Sequence, residues 1–198
     1  MGSEEKTFRE GVPPARQRQL AFALLVFERM LPSLTAFSQA TGFDRTCYLQ
    51  ARDVAWTALQ NNAVNQALIQ GLNQACLRSA PDTEKFSHEL VSYALNAALA
   101  MSDILEFIVD GRADHVAHVS TLARDSLDLY LSSLEGSVAS APEEETKIAS
   151  HPLVRQERRQ EGEDIGFLSD LPGELDERMI SALRTRASKQ APLLPQSL

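Results

Sequence analysis

The run LAFALLVFERML, from Leu20 to Leu31, constrains this chain more than any other stretch, because only Glu28 and Arg29 in it are polar. A helix that is apolar on all sides has no stripe to turn to water, so other helices must surround it. At about 1.5 Å per residue the run spans roughly 18 Å, short of the ~20 apolar residues that a membrane helix needs. A core helix with an acid and a base near its end is therefore expected. Pro32 lacks an amide hydrogen and its ring presses on the preceding turn, which predicts a stop or kink there. A second short helix with Leu34 and Phe37 on its apolar side should follow. Gly42 is placed to close it as a left-handed cap, with Phe43 folding back, and Asp44 can cap the next helix, which carries Leu49, Ala55, Trp56 and Leu59.

A second apolar element is predicted from Phe86 to Val109. Its sequence LVSYALNAALAMSDILEFIV is apolar on most faces, and Ala94, Ala97, Ala98 and Ala100 let neighbouring helices approach closely. The run nearly reaches the length of a membrane span, but Asn96, Asp103 and Glu106 oppose one, since each charge at mid-membrane costs about 2.5 to 3.5 kcal/mol. Amphipathic helices are predicted around residues 44–60, 64–78, 113–135 and 174–187, the third from the spacing of Val116, Val119, Ala123, Leu127, Tyr130 and Leu134. Asn61 and Asn62 mark a break, Gly71 a weak point, and Ser79 with Asp82 a capping-box spacing in a turn. Asp110-Gly111 and Gly136 are stops, and Ser140 to Glu143 can start a short acidic helix. Pro152 suits the first turn of a charged helix from about His151 to Leu171, weakened by Gly162 and Gly166, with Arg159 and Glu163 spaced to pair. The expectation is an all-α, single-domain bundle of about six to eight helices with two buried central helices. A flexible arm (1–14) precedes the bundle (15–190), and an irregular tail (191–198) follows it.

Composition limits the partners. Hydrophobic residues make up 43% of 198, enough for a sizeable core. A net charge of −8 repels phosphate backbones and anionic membranes, so neither nucleic acid nor a membrane is expected as a partner. Cys47 and Cys76 form no zinc-like spacing and read as reduced, partly buried thiols. The first nineteen residues are charged and carry two prolines, unlike a secretory signal, so a cytoplasmic location is expected.

ERMLPSLTAF, then TGF, then the helix with Trp56 and Leu59 resembles the YjaG family of bacterial proteins. HPLVRQE, from His151 to Glu157, resembles that family's later Asn-Pro-x-Val segment, with His151 in place of Asn. The likeness runs from about Gln19 to Ser188. The family is a domain of unknown function, so the resemblance implies a compact helical fold and supplies no catalytic residues.

No phosphate loop, nucleophile elbow, HExxH or EF-hand loop occurs, and no catalytic, cofactor or metal residue is assigned. Asp114, His115 and His118 form DHVAH near a helix start; the motif reads first as surface histidines at a helix N-terminus, and a metal site there would need a further ligand from elsewhere, such as His88 or Glu106. Glu28 with Arg29, Arg52 with Asp53, and Asp103 with Glu106 lie in or beside apolar helices, where a buried carboxylate must be paired. An internal ion-pair network is expected, with Glu28 serving Arg29. Two functions follow. One is a non-enzymatic module that binds an unknown protein partner or a second copy of itself. The other is a small-molecule or metal site near Glu28, Arg29 and Asp103.

Overall fold

Seven helices and no strand are formed by the described residues of the computed structural model, which are 14–60, 65–135, 148 and 150–195. They are α1 (Pro14–Thr41), α2 (Thr46–Ala58), α3 (Gln66–Arg78), α4 (Val91–Asp110), α5 (Ala113–Glu135), α6 (Pro152–Asp170) and α7 (Glu177–Lys189). The fold is an all-α single domain. The expected arm, the break at Asn61 and Asn62, the Gly136 stop and the short helix at Ser140 lie outside the described residues, except that Pro14 opens α1.

The two apolar runs are the central elements. From α1, Ala21, Ala23 to Phe27, Leu34 and Phe37 are fully buried, and from α4 so are Ala94, Ala97, Ala100, Met101, Ile104 and Leu105. Each helix is long and apolar enough to cross a membrane, and 67% of each apolar window is buried inside the protein. They run antiparallel: Arg16 at the start of α1 reaches Phe107 and Ile108 at the end of α4, while the Phe37 ring lies 5.1 Å from Phe86, just ahead of α4. α2, α3 and α5 pack on α4, and α5, α6 and α7 pack on α1.

α1 does not stop at Pro32, contrary to expectation; it continues to Thr41. An interior proline costs about 3 kcal/mol. Leu34 and Phe37, both fully buried beyond it, return about 1.5 to 3 kcal/mol each, so one burial surface spans the proline. Backbone near the proline is used elsewhere: the Leu193 amide donates to the Arg29 carbonyl at 2.8 Å, which pins the non-helical tail, whose Leu193 and Leu194 are buried. Gly42 closes α1 with φ +72°, its amide donating to the Ser38 carbonyl at 2.9 Å, and Phe43 packs 5.3 Å from Phe37.

α4 begins at Val91, later than the apolar pattern predicts, because residues 79–90 are turns in which the Asp82 carboxylate accepts from the Glu84 amide. α5 matches its expected span, but Leu134 is 62% exposed although it continues the apolar line. α6 runs through Gly162 and Gly166 without a break; His151 caps it, Nδ1 accepting from the Leu153 amide at 3.2 Å. Arg159 and Glu163 do pair, at 3.6 Å on the surface.

Three consecutive residues at the start of α1 each hold a different element. Arg16 Nη2 donates to the Phe107 and Ile108 carbonyls at 3.0 and 2.8 Å, satisfying acceptors that a helix end leaves free. Buried Gln17 donates to the Leu59 carbonyl at 3.1 Å and accepts from the Leu175 amide at 3.0 Å. Arg18 donates to the Leu171 carbonyl at 2.7 Å and to that of Gly173 at 3.0 Å.

Gly111 ends α4 in the left-handed region at φ +72°, and a Cβ there would lie 3.0 Å from Arg16 Cζ. Gly111→Ala is therefore expected to cost about 1 to 3 kcal/mol in urea unfolding. Gly71→Ala, in an exposed helical position with nothing within 4 Å of the new methyl, should stabilise by about 0.5 to 1 kcal/mol. Equal midpoints for the two variants would contradict this account of the turn.

Candidate functional site

The turn at Gly111 and Arg112 folds α5 back on α4, and so sets two side-chain rows against each other. Asp103, Glu106 and Asp110, spaced by three and four, share one face of α4; His115 and His118 share the facing side of the first turns of α5. His115 Nδ1 lies 3.1 Å from Asp103 Oδ1 and 3.5 Å from Glu106 Oε2. Its Nε2 meets Asp110 Oδ2 at 3.1 Å, and His118 Nδ1 meets Asp103 Oδ2 at 2.7 Å. Asn73 of α3 donates to Glu106 Oε1 at 3.2 Å and accepts from the Ser102 hydroxyl at 2.6 Å.

Each central group is thus steadied through its other polar atom: Asp103 by His118, Glu106 by Asn73, His115 by Asp110. The atoms left over, Asp103 Oδ1, Glu106 Oε2 and His115 Nδ1, converge. Asp103, Glu106 and His115 offer one ligand atom each within 4.8 Å of one another. Donors about 2.0 to 2.2 Å from a zinc-sized ion stand roughly 3.0 to 3.5 Å apart, close to the two spacings observed here. The side chains of His115 and Asp103 are only 13% and 14% exposed, that of Glu106 46%, so the group is closed on the inside and open on one side.

Burial opposes the charged form of His115, but hydrogen bonds to Asp103 and Asp110 and the charges of Asp110 and Glu106 outweigh it and raise its pKa above 6.5. The Arg112 amide donates to Asp110 Oδ1 at 2.9 Å, and with His115 holds the Asp110 carboxyl below the usual carboxylate range. His115 can therefore carry a proton between these carboxylates, or release that proton to solvent and offer the freed nitrogen to a metal ion.

The other expected site residues lie in separate settings. Glu28 and Arg29 do not pair with each other. Glu28 Oε1 accepts from Trp56 Nε1 at 2.8 Å, with Arg52 Nε 3.9 Å away. Arg29 points into the bundle, where Glu157 Oε1 takes Nη2 at 2.6 Å and Asp164 Oδ2 takes Nη1 at 2.7 Å. Asp164 also accepts from Arg186 Nε at 2.8 Å and Gln190 Nε2 at 2.7 Å, so two cations and two carboxylates close a neutral network across α1, α6, α7 and the tail. Burial pushes the Glu157 carboxyl up, and Arg29 pulls it part of the way back. Burial also opposes the Arg29 charge, but the two carboxylates more than compensate, so the guanidinium stays charged. Arg52 does pair with Asp53 at 2.8 Å, but at the surface rather than in the expected internal network, since the Asp53 side chain is 67% exposed. His88, one of two candidates for a third ligand, is engaged elsewhere: its Nδ1 accepts from the Leu90 amide and its ring packs 6.0 Å from Phe37. Glu106, the other, is in the group. Cys47 is half-buried and Cys76 buried, both unbridged, and burial pushes the Cys76 thiol up to about 12.

Sequence reasoning missed Asn73, Asp110, Glu157, Asp164 and Gln190. A signal for the α6 pair exists: Glu157 and Asp164 fall on the stripe of Val154 and Leu168, the buried face of an otherwise charged helix.

Because Arg29 relies on α6, Asp164→Ala should cost about 3 to 5 kcal/mol in chemical unfolding by leaving a buried cation short of charge. Glu28→Ala, which loses one hydrogen bond to Trp56, should cost about 1 kcal/mol. The reverse ranking would contradict the assignment. A second expectation concerns pH. A raised His115 pKa adds stability that is complete below about 6.5 and lost as pH rises through the folded value. In chelator-treated buffer, melting should therefore occur at lower temperature at pH 8 than at pH 6, by a difference that shrinks in His115→Gln.

A family model described as "Protein of unknown function (DUF416)" matches residues 15–191. The solved structure of a DUF416 family protein from Shewanella baltica OS155 is similar over 93% of this chain and 94% of that one, with a TM-score of 0.79 at 19% identity, a likeness of fold. No curated protein matches the chain. With nearly its whole helical body inside the family match, the chain belongs to the DUF416 family.

Proposed function

We propose that this protein binds one divalent transition-metal ion at the α4–α5 turn, through Asp103, Glu106 and His115. The observation that supports this most is the convergence of one imidazole nitrogen and two carboxylate oxygens whose remaining polar atoms are already held by Asp110, His118 and Asn73. Histidine ligands of metals characteristically donate their second ring N–H to a carboxylate, the role open to Asp110. An imidazole in the set favours zinc, iron, cobalt or nickel over magnesium and calcium, which prefer all-oxygen surroundings. Two carboxylates balance the charge of such an ion. The expected polar site near Glu28, Arg29 and Asp103 is thus narrowed to Asp103 and its neighbours. The interaction-module expectation rests on helical faces and missing catalytic motifs, which is less specific. Within the family, the ERMLPSLTAF and HPLVRQE segments support a YjaG-like member.

Calorimetric titration of metal-free protein with zinc tests the proposal. One ion per chain is expected, with melting raised by about 2.7 kcal/mol of stabilisation when free zinc is a hundredfold above Kd. Asp103→Asn and His115→Gln should each weaken binding by tenfold or more, while Glu28→Gln should leave it unchanged. Equal zinc affinity in wild type, Asp103→Asn and His115→Gln would overturn the assignment, because zinc would then sit elsewhere, at His88 or His151 for instance.

A further inference from the structure

We infer that a metal ion held by Asp103, Glu106 and His115 keeps an open coordination position on the Glu106 side, where it takes water and then a small oxygen or nitrogen donor from solution. The inference rests on the metal reading above and extends it from a bound ion to an ion that meets other molecules. Structural zinc is closed by four protein ligands, whereas zinc that handles small molecules has three and leaves the rest to water or substrate. Among the described residues three atoms converge here, and the neighbouring groups that could supply a fourth are otherwise engaged. Asp110 faces the far nitrogen of His115, His118 is bonded to the far oxygen of Asp103, and the Asn73 side chain is bonded to both Glu106 and Ser102. Exposure gives the direction of the opening, since the Asp103 and His115 side chains are 14% and 13% exposed and that of Glu106 is 46% exposed.

Charge narrows the class of incoming ligand. Two carboxylates already cancel the charge of a divalent ion, and Asp110 adds a further negative charge beside His115. Polyanions such as nucleotide phosphates gain nothing from that field. Neutral donors and single-charge anions, with a carboxylate or an amide oxygen as the natural forms, fit it best.

Cobalt(II) loaded into the full chain reads both levels at once, with azide as the probe. Cobalt should bind one per chain with a visible absorption band, and azide should shift that band saturably by displacing water from the ion. His115→Gln should lose the band, and Asp103→Asn should bind cobalt at least tenfold more weakly, circular dichroism confirming that both are folded. Cobalt bound with a band that azide leaves unchanged would overturn the open position and leave the metal reading standing. A failure of cobalt to bind, or a band that persists in His115→Gln, would overturn the metal reading and this inference with it.

Discussion

The structure depends on seating one apolar helix antiparallel against another, and on fixing the end where they meet. Burial of α1 on α4 supplies the adhesion but is non-directional, so it does not by itself set the register. Arg16 does: its guanidinium reaches two carbonyls at the end of α4 and lies 5.7 Å over the Phe107 ring. That arrangement requires Gly111 beside it, and Gly111 in turn aims α5 back along α4. The histidines of α5 therefore face the carboxylates of α4 because of a contact made from α1.

Two charged groups in the protein have opposite characters. Around Arg29 the cations of Arg29 and Arg186 meet the carboxylates of Glu157 and Asp164, the side chains of Arg29, Glu157 and Asp164 are at most 6% exposed, and the four groups form a neutral knot joining four segments. Such a knot does little for stability relative to apolar packing, yet it breaks at high cost if one member is lost. Around His115, three carboxylates meet its imidazole and that of His118 on a partly open face. Excess negative charge at a partly exposed position is what a cation can exploit. The first group locks α6 and the tail onto α1; the second is the one on which the proposed metal site rests.

Helix existence was legible in the sequence because hydrophobic period is a local property, and α2 to α7 fall close to their expected spans, while α1 replaces two expected helices with one. Local rules failed where burial overrode them. A stop or kink at Pro32 and a separate short helix were expected, and instead Leu34 and Phe37 carry one helix on into the core. The partner of Arg29 was illegible for a different reason. Glu28 is adjacent in sequence but points away around the helix, while Glu157 and Asp164 lie over a hundred residues on, in a helix whose composition reads as solvent-facing. The metal-like cluster was half visible: DHVAH and Glu106 could be named, but only the reversal at Gly111 brings them together with Asp103 and Asp110.

X-ray absorption at the zinc edge of protein loaded with one zinc per chain tests the central claim most directly. Convergence of Asp103, Glu106 and His115 on one ion predicts a single imidazole among two or more oxygen scatterers, at about 2.0 to 2.2 Å. Two or more imidazoles, any sulfur, or oxygen scatterers alone would contradict it.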